Sequence, residues 1–213
     1  MEILQSREDW LKKRKGFIGG SEASSIIGMN PYLSNVELWE IKTGKRQPDD
    51  LSGNDLVQYG HDAEQHLRDL FQLDFPDYKV QYEENNIWFN PAYPFAHASL
   101  DGWLIDKEGR RGVLEIKTTS ILQSMQKEKW DHRIPDNYYC QVLWYMAVTE
   151  AQFACLKAQL KYDYDGDIYL NTKHYWIERS QVEDDIAYLM TQGERFAEYI
   201  RTDKKPPLVL PNI

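Results

Sequence analysis

Three side chains in the middle of the sequence have the types and the spacing needed to cleave a phosphodiester. Glu115 and Lys117 lie two residues apart in LEIKTT, a predicted strand, so both project from one face while their neighbours face the core. Asp101, in SLDG, lies near the end of the preceding predicted strand, and a hairpin would bring it close to Glu115. Two carboxylates can hold Mg²⁺, which activates bound water, and a lysine beside them can orient that water. The alternative is a surface salt bridge with Asp101 capping a turn.

Two further polar residues fall where helices are predicted to be apolar. Glu64 lies beside or within the apolar stripe of its helix, a costly position for a carboxylate unless it is paired or bound to a metal. Gln141 shares a helix face with Tyr138 and Tyr145, and a buried amide needs partners, such as Lys117 or an active-site water. Their alternatives are a boundary glutamate that reaches solvent and a structural amide.

The start of the chain predicts an anion site. The basic cluster Lys12–Lys15 includes Arg14 and precedes Gly19 and Gly20, after which Ser21 can cap a short helix. Free backbone N–H groups at a helix N-terminus, together with an arginine, bind phosphate well. The alternative is a solvated basic stretch before a capped helix.

These residues need a framework of helices and strands to position them. The periodicity predicts helices over residues 21–27, 35–42, 56–70, 137–148 and 181–201, and strands over residues 80–89, 95–105, 112–119, 153–160 and 173–178. This order predicts one α/β (α+β) domain over residues 1–213, with a central mixed β-sheet flanked by helices. Residues 42–55 are predicted to form a surface loop, and residues 204–213 an extended C-terminal tail that docks on the body or on a neighbouring subunit.

Composition sets limits on the function. The net charge of −9 argues mildly against a nucleic-acid partner, although a basic groove can coexist with an acidic exterior. Cys140 and Cys155 are the only cysteines, which predicts reduced core thiols in a cytosolic protein. We find neither a signal peptide nor an apolar run of membrane-spanning length in the sequence. The five histidines lack the spacing of a zinc site, and His97, near Asp101, is best interpreted as a core or surface residue.

Several segments, in this order, resemble the phage lambda exonuclease and YqaJ-like viral recombinase family. They are RKGFIGGSEASSIIG, YGHDAEQHLRDLF, SLDG with LEIKTT, and YYCQVLWYM, and the resemblance runs from about Trp10 to Val148. It implies a PD-(D/E)xK restriction-endonuclease-like core.

The resemblance also implies roles for individual residues. It implies a set of metal ligands, namely Glu64, Asp101, Glu115 and the backbone carbonyl of Ile116. Lys117 would position the attacking water, with help from Gln141. Arg14 and Ser21 would hold the terminal 5′-phosphate of the strand being digested.

The function implied by the resemblance is a 5′→3′ exonuclease on double-stranded DNA ends, with Mg²⁺ as cofactor and Mn²⁺ able to replace it. It would release mononucleotides and leave 3′ single-stranded overhangs for phage-type recombination. The expected assembly is a homotrimeric ring beside a single-strand annealing protein, in the cytoplasm of a bacterial host and of phage or prophage origin. The alternatives are a PD-(D/E)xK endonuclease and a catalytically inactive DNA-end-binding module. A related nuclease type with a four-cysteine iron–sulfur cluster conflicts with the two cysteines present.

Overall fold

Runs of helices and runs of strands follow one another along the computed structural model, which describes residues 1–51 and 53–210. The helices are α1 (Arg7–Arg14), α2 (Gly20–Ile26), α3 (Asn35–Lys42), α4 (Asp55–Asp74), α5 (Ser124–Glu128), α6 (Asp136–Thr149) and α7 (Glu183–Arg201). The strands are β1 (Glu2–Ile3), β2 (Ile18–Gly19), β3 (Lys79–Gln81), β4 (Asn86–Ile87), β5 (Ala96–His97), β6 (Gly102–Ile105), β7 (Arg111–Ile121), β8 (Phe153–Tyr164) and β9 (Asp167–Glu178).

The main sheet has five strands in the order β3-β6-β7-β8-β9. Strands β7 and β8 are parallel and the other neighbours are antiparallel, so the predicted mixed sheet is confirmed. A parallel pair needs a crossover connection, and α5 and α6 provide it. The hairpin of β8 and β9 extends beyond the predicted strands and turns at Asp165 and Gly166, which both have positive φ. None of the described helices is long and apolar enough to cross a membrane.

The two faces of β7 pack against different helices. Val113 belongs to the large core cluster that contains α6, whereas Leu114 and Ile116 belong to a second cluster with Leu67 and Phe71 of α4. The alternation follows from the two-residue period of a strand. Glu115 and Lys117 therefore share the face directed at α6, as the sequence predicts.

The predicted boundaries are wrong in the N-terminal region. Helix α1 was not expected, and α2 begins one residue before Ser21, so Ser21 lies inside the helix instead of capping it. The cap position is Gly19, whose N–H donates to Glu22 Oε2 at 2.8 Å. Glu22 thus supplies one half of a capping box, whereas the bond to a serine hydroxyl that the sequence predicts is absent, because glycine has no side-chain acceptor.

Two predicted long strands are each divided into shorter ones. Residues 80–89 contain β3 and β4, and residues 95–105 contain β5 and β6. The Asn86 side chain explains part of the break, because it bonds to both backbone groups of Leu100, accepting from the N–H and donating to the carbonyl at 2.9 Å each. The Asn86 side chain thus makes hydrogen bonds that a neighbouring strand's backbone would make in a continuous ladder.

The described part of the C-terminal tail docks on the body of the protein. Asn35 Nδ2 donates to the Pro207 carbonyl at 2.8 Å, and the Val209 N–H donates to Asn35 Oδ1 at 3.0 Å. Val209 also packs beside Gly28. Pro207 and Val209 of the tail thus contact the body, while residues 211–213 of the tail and Ser52 of the surface loop lie outside the described residues.

Candidate active site

A buried ion pair occupies the face of β7 that is directed at α6. Glu115 is only 1% exposed, and its Oε1 lies 2.5 Å from Lys117 Nζ. The ammonium also lies 5.1 Å from the centre of the Tyr138 ring, so it is held by a carboxylate on one side and an aromatic face on another. This burial excludes the surface salt bridge as an explanation of the two residues.

Asp101 lies beside this pair because β6 and β7 form the predicted hairpin. Their register pairs Gly102 with Leu114, which places Asp101 next to Glu115 at the end of the ladder. Asp101 Oδ2 accepts a hydrogen bond from the Ile116 N–H at 2.9 Å. The carboxylate is therefore fixed to the β7 backbone between the two other site residues and does not cap a turn.

Gln141 is buried, as predicted, but its partners differ from those expected. Its Nε2 donates to Glu115 Oε1 at 2.7 Å and to Tyr145 Oη at 3.0 Å. The amide therefore supports the carboxylate directly, whereas the sequence predicts Lys117 or an active-site water as its partner. A carboxylate that accepts hydrogen bonds from both an ammonium and an amide is held in one orientation.

Glu64 projects from α4 toward the same carboxylates and is half-buried. Its Oε1 lies 3.6 Å from His61 Nδ1. Burial and the negative charge of Asp101 raise the pKa of Glu64 to about 7, although Arg68 and Lys117 oppose this change. Its interaction with Asp101 places Glu64 within electrostatic reach of the β7 pair.

The site concentrates negative charge in a poorly solvated place. Burial and the charge of Asp101 raise the pKa of Glu115 to about 8. Burial also raises the pKa of Asp101, against the opposing effects of Lys117 and the Ile116 N–H. For Lys117, burial favours the neutral amine, but Glu115 and Asp101 outweigh it and its pKa rises above the ordinary value. One ammonium thus does not neutralise the carboxylates around it.

The residues present fit a divalent cation in chemistry and charge. Glu115 Oε2 is buried and has no hydrogen-bond partner among the residues described. A hard cation such as Mg²⁺ takes oxygen ligands, keeps several waters and would relieve the repulsion between Glu115 and Asp101. Within the described ranges, no group of three or more His, Cys, Asp or Glu side chains is already arranged to hold a metal. The roles of Asp101, Glu115, Glu64 and the Ile116 carbonyl as metal ligands all stay predictions.

Arg14 lies at the end of α1 with its charge available. Its guanidinium stacks 4.1 Å from the centre of the Trp10 ring, and Nη2 lies 3.7 Å from where a Cβ on Gly19 would be. The guanidinium makes no hydrogen bond or ion pair with any residue in 1–51 or 53–210. Ser21 is exposed in the first turn of α2. The sequence predicts free backbone N–H groups at this turn, but the Gly19 N–H is already bonded to the Glu22 carboxylate. That carboxylate also forms an ion pair with Lys42 at 2.8 Å.

Three residues of the site were not assigned a function from the sequence. Arg68 donates to the Asp101 carbonyl at 2.8 Å, and its spacing four residues after Glu64 on one helix was the available signal. Trp10 orients Arg14, and the recurrence of Arg7, Trp10 and Arg14 at helical spacing would have revealed α1. Tyr145 was placed on the face of Gln141 without a role. By contrast, His97 is buried in the core, as expected.

Comparison with known proteins assigns the fold and the family. Residues 9–152 match the YqaJ-like viral recombinase domain. The chain belongs to this family. It is 33% identical over 148 residues to the uncharacterized protein YqaJ of Bacillus subtilis (strain 168). That match covers 70% of this chain but 44% of the relative, so the chain spans less than half the length of that protein.

Solved structures share the same fold at low sequence identity. The alkaline exonuclease LHK-Exo from Laribacter hongkongensis is 18% identical, with a TM-score of 0.66 over 92% of this chain and 94% of that chain. A second structure of LHK-Exo, in complex with dAMP, matches with 17% identity and a TM-score of 0.66 over the same shares, 92% and 94%. A phage-related exonuclease from Haemophilus somnus 129PT is 14% identical, with a TM-score of 0.59 over 88% of this chain and 96% of that chain. The predicted PD-(D/E)xK-type fold, a central mixed sheet flanked by helices, is thereby confirmed.

Proposed function

We propose that this YqaJ-family protein is a Mg²⁺-dependent 5′→3′ exonuclease on double-stranded DNA. It releases mononucleotides by phosphodiester hydrolysis and leaves 3′ single-stranded overhangs for phage-type homologous recombination. In this proposal Mn²⁺ can serve as the cofactor in place of Mg²⁺. Family membership and the likeness in fold to proteins named exonucleases support it.

The observation that carries the proposal is the buried Glu115 with the partly buried Asp101 and Lys117 beside it, and Gln141 bonded to it. Burying an ion pair with an extra carboxylate beside it is unfavourable for folding, since each charge loses its hydration. A group of this kind is typical of sites that bind and transform a charged substrate. Phosphodiester hydrolysis uses both the carboxylates and the ammonium of this group.

Each side chain has a role that follows from its contacts. Glu115 and Asp101 supply oxygen atoms for the cation, and Glu64 completes the set from α4. When bound, the cation polarises the phosphate and lowers the pKa of a water. The Lys117 ammonium, held on Glu115, orients the attacking water and stabilises negative charge on the phosphate. Gln141 keeps Glu115 in place, which preserves the position of Lys117 through the reaction.

The strand end is held away from the carboxylates. Arg14 is oriented by Trp10 and is not neutralised by any described residue, so its guanidinium is available for the two-pronged bond that arginine makes to a phosphate. Ser21 adds a hydroxyl at the start of α2. We assign these two residues to the terminal 5′-phosphate, which makes the strand end the point where digestion begins.

We also infer a trimeric ring that acts beside a single-strand annealing protein in the cytoplasm of a bacterial host. A chain with a net charge of −9 binds DNA only where its basic residues are gathered. A ring places the basic residues of its subunits around a channel, and the enclosed DNA strand keeps the enzyme bound during digestion. Family resemblance supports both the ring and the annealing partner.

Digestion of matched DNA substrates tests the proposal. Linear duplexes with 5′-phosphate or 5′-hydroxyl ends and a covalently closed circle are incubated with Mg²⁺, and released nucleotides are measured. The expected result is release of mononucleotides from linear duplexes, fastest from 5′-phosphorylated ends, with the closed circle intact. Labels at the 5′ and 3′ ends report the direction, and the 5′ label is expected in the first products.

Two outcomes contradict the proposal and lead to its alternatives. Cutting of the closed circle identifies an endonuclease. Binding to DNA ends without release of nucleotides, in Mg²⁺ and in Mn²⁺, identifies an inactive end-binding module.

A further inference from the structure

Tyr145 touches the carboxylate site through its hydroxyl and the start of α2 through its ring, and the O–H of that hydroxyl has no acceptor among the described residues. It accepts a hydrogen bond from Gln141 Nε2 at 3.0 Å, and the other N–H of that amide goes to Glu115. A tyrosine hydroxyl that accepts still has its own O–H to donate. Within residues 1–51 and 53–210, no acceptor takes this hydrogen bond. Tyr145 is 6% exposed, and a buried donor at such a position is normally satisfied.

The ring of Tyr145 is fixed in position by close contact with α2. A Cβ added to Gly20 would lie 2.3 Å from Tyr145 Cε1 and 3.0 Å from Cζ, so even a methyl group would clash. The ring therefore packs directly on the backbone next to Ser21. The hydroxyl keeps a defined place because one side of the ring is in contact with Gly20 and its oxygen is bonded to Gln141.

The charges around this hydroxyl are of both signs. Burial and the negative charge of Glu115 raise the pKa of Tyr145 above its ordinary value, whereas Lys117 and Arg14 act in the opposite direction. The hydroxyl therefore stays protonated and is a donor at neutral pH. The Arg14 guanidinium approaches Gly19 and the Tyr145 ring approaches Gly20, so the two side chains reach adjacent residues at the start of α2, where the strand end is proposed to bind.

We propose that Tyr145 is a further substrate-contacting residue, whose hydroxyl donates to an oxygen of the 5′-terminal phosphate of the bound strand. The inference rests on the proposed function, because it takes the strand end to be held at Arg14. A phosphate oxygen is the acceptor that this hydroxyl lacks. The bond connects the strand end, through Tyr145 and Gln141, to Glu115, so the enzyme recognises a 5′-phosphate with the same network that orients its carboxylate.

The test compares how Tyr145→Phe and the unaltered protein recognise a phosphate at the strand end. The substitution keeps the ring on Gly20 and removes only the hydroxyl. Affinities for two duplexes that differ only in a 5′-phosphate or a 5′-hydroxyl are measured by fluorescence anisotropy without divalent cations, so that no cleavage occurs. The unaltered protein is expected to prefer the phosphorylated end, and Tyr145→Phe to lose about tenfold of that preference, the size of one hydrogen bond to a charged group.

Tyr139→Phe is the matched control. Its hydroxyl, on the same helix, donates to Asp185 Oδ2 at 2.7 Å and is outside the site. The control is expected to keep the full preference for the phosphorylated end. A preference unchanged in Tyr145→Phe overturns the inference. So does an equal loss of affinity for both ends, since the hydroxyl would then act only by supporting Gln141.

Nucleotide release in Mg²⁺, measured on the same samples, separates this inference from the proposed function. If the preference for phosphorylated ends depends on Tyr145 but no nucleotide is released, the phosphate contact is supported and the exonuclease assignment is contradicted. If nucleotides are released and Tyr145→Phe keeps the same end preference, the exonuclease assignment is supported and the Tyr145 contact is contradicted.

Discussion

At the scale of single residues, the site depends on an ammonium that cannot lose its charge easily. Lys117 is bonded to Glu115 and lies against Tyr138, and its pKa rises because Glu115 and Asp101 favour the charged form. A lysine of this kind is a poor base. It is suited to stabilising negative charge on a phosphate and to orienting a water, which is the role proposed for it.

Lys117→Ala is expected to lower the rate of nucleotide release at least about 100-fold, since a charge that stabilises the transition state is lost. The fold is expected to persist, because the side chain is partly exposed and leaves no large cavity. Steady-state release from a 5′-phosphorylated duplex is the measurement, with circular dichroism as the check on folding. Lys79→Ala, an exposed strand lysine in β3, is the control and is expected to keep full activity. Activity retained in Lys117→Ala would remove the lysine from the mechanism.

His97 makes stability depend on pH. It is 2% exposed, and burial, Arg14 and Lys42 lower its pKa to about 3. The unfolded chain binds a proton near the ordinary value of about 6.5, so the stabilisation is complete above that pH and is lost as the pH falls toward 3. Between about pH 7.5 and about pH 5, the unaltered protein should lose about 2 kcal/mol more stability than His97→Gln.

Urea unfolding at the two pH values measures this difference directly. Glutamine keeps a polar side chain but takes up no proton, so it isolates the titration from the loss of packing. Equal losses in the two proteins would show that His97 is not the group that titrates.

At the scale of elements, β7 and α6 together produce the site. Strand β7 directs Glu115 and Lys117 toward α6 and directs Leu114 and Ile116 into the opposite core. Helix α6 is buried nearly all round, since it lies between the sheet on one side and α2 and α7 on the other. Gln141 is therefore delivered to Glu115 by an element that has little freedom to move.

The C-terminal tail is held by one side chain at the start of α3. Asn35→Ala removes both bonds to the tail, to Pro207 and to Val209, and is expected to destabilise the protein by about 2 kcal/mol. Residues 204–210 should then become sensitive to limited proteolysis. Asn30→Ala is the control, because the Asn30 side chain accepts only a local bond from Tyr32. Equal proteolysis of the tail in both variants would assign its docking to Val209 packing and not to Asn35.

At the scale of the whole molecule, the acidic chain and the proposed acidic substrate have to be reconciled. The net charge is −9, yet Lys117 and Arg68 are bonded to site residues and Arg14 lies beside the start of α2. Positive charge near the carboxylates favours the approach of a phosphate, and distant acidic residues are screened at physiological salt.

The proposed ring predicts a mass in solution of three times the 25.2 kDa of one chain. Sedimentation equilibrium measures it, and a competitor DNA added during digestion measures whether one enzyme finishes its strand. A trimer is expected to continue on the first strand because the channel encloses it. A monomer at the concentrations used for digestion would contradict the ring.

The sequence by itself determined which polar side chains share a face and which are buried. The spacing of Glu115 and Lys117 fixed a shared strand face, and the apolar surroundings of Gln141 fixed its burial, because both follow from local periodicity. The mixed sheet followed from the order of the elements. Segments whose pattern is interrupted by side-chain bonding, such as those around Asn86, were predicted less well.

Only the tertiary structure decided which residues act on one another. Gln141 bonds to Glu115, and Tyr145 packs on Gly20. Burial and the charge of Asp101 raise the pKa of Glu115 and of Glu64, which lie on other elements. Such contacts depend on how helices pack across a sheet, and no local pattern encodes that geometry. Burial then changes the chemistry of the side chains, because a charge removed from water responds to every neighbour that the fold places beside it.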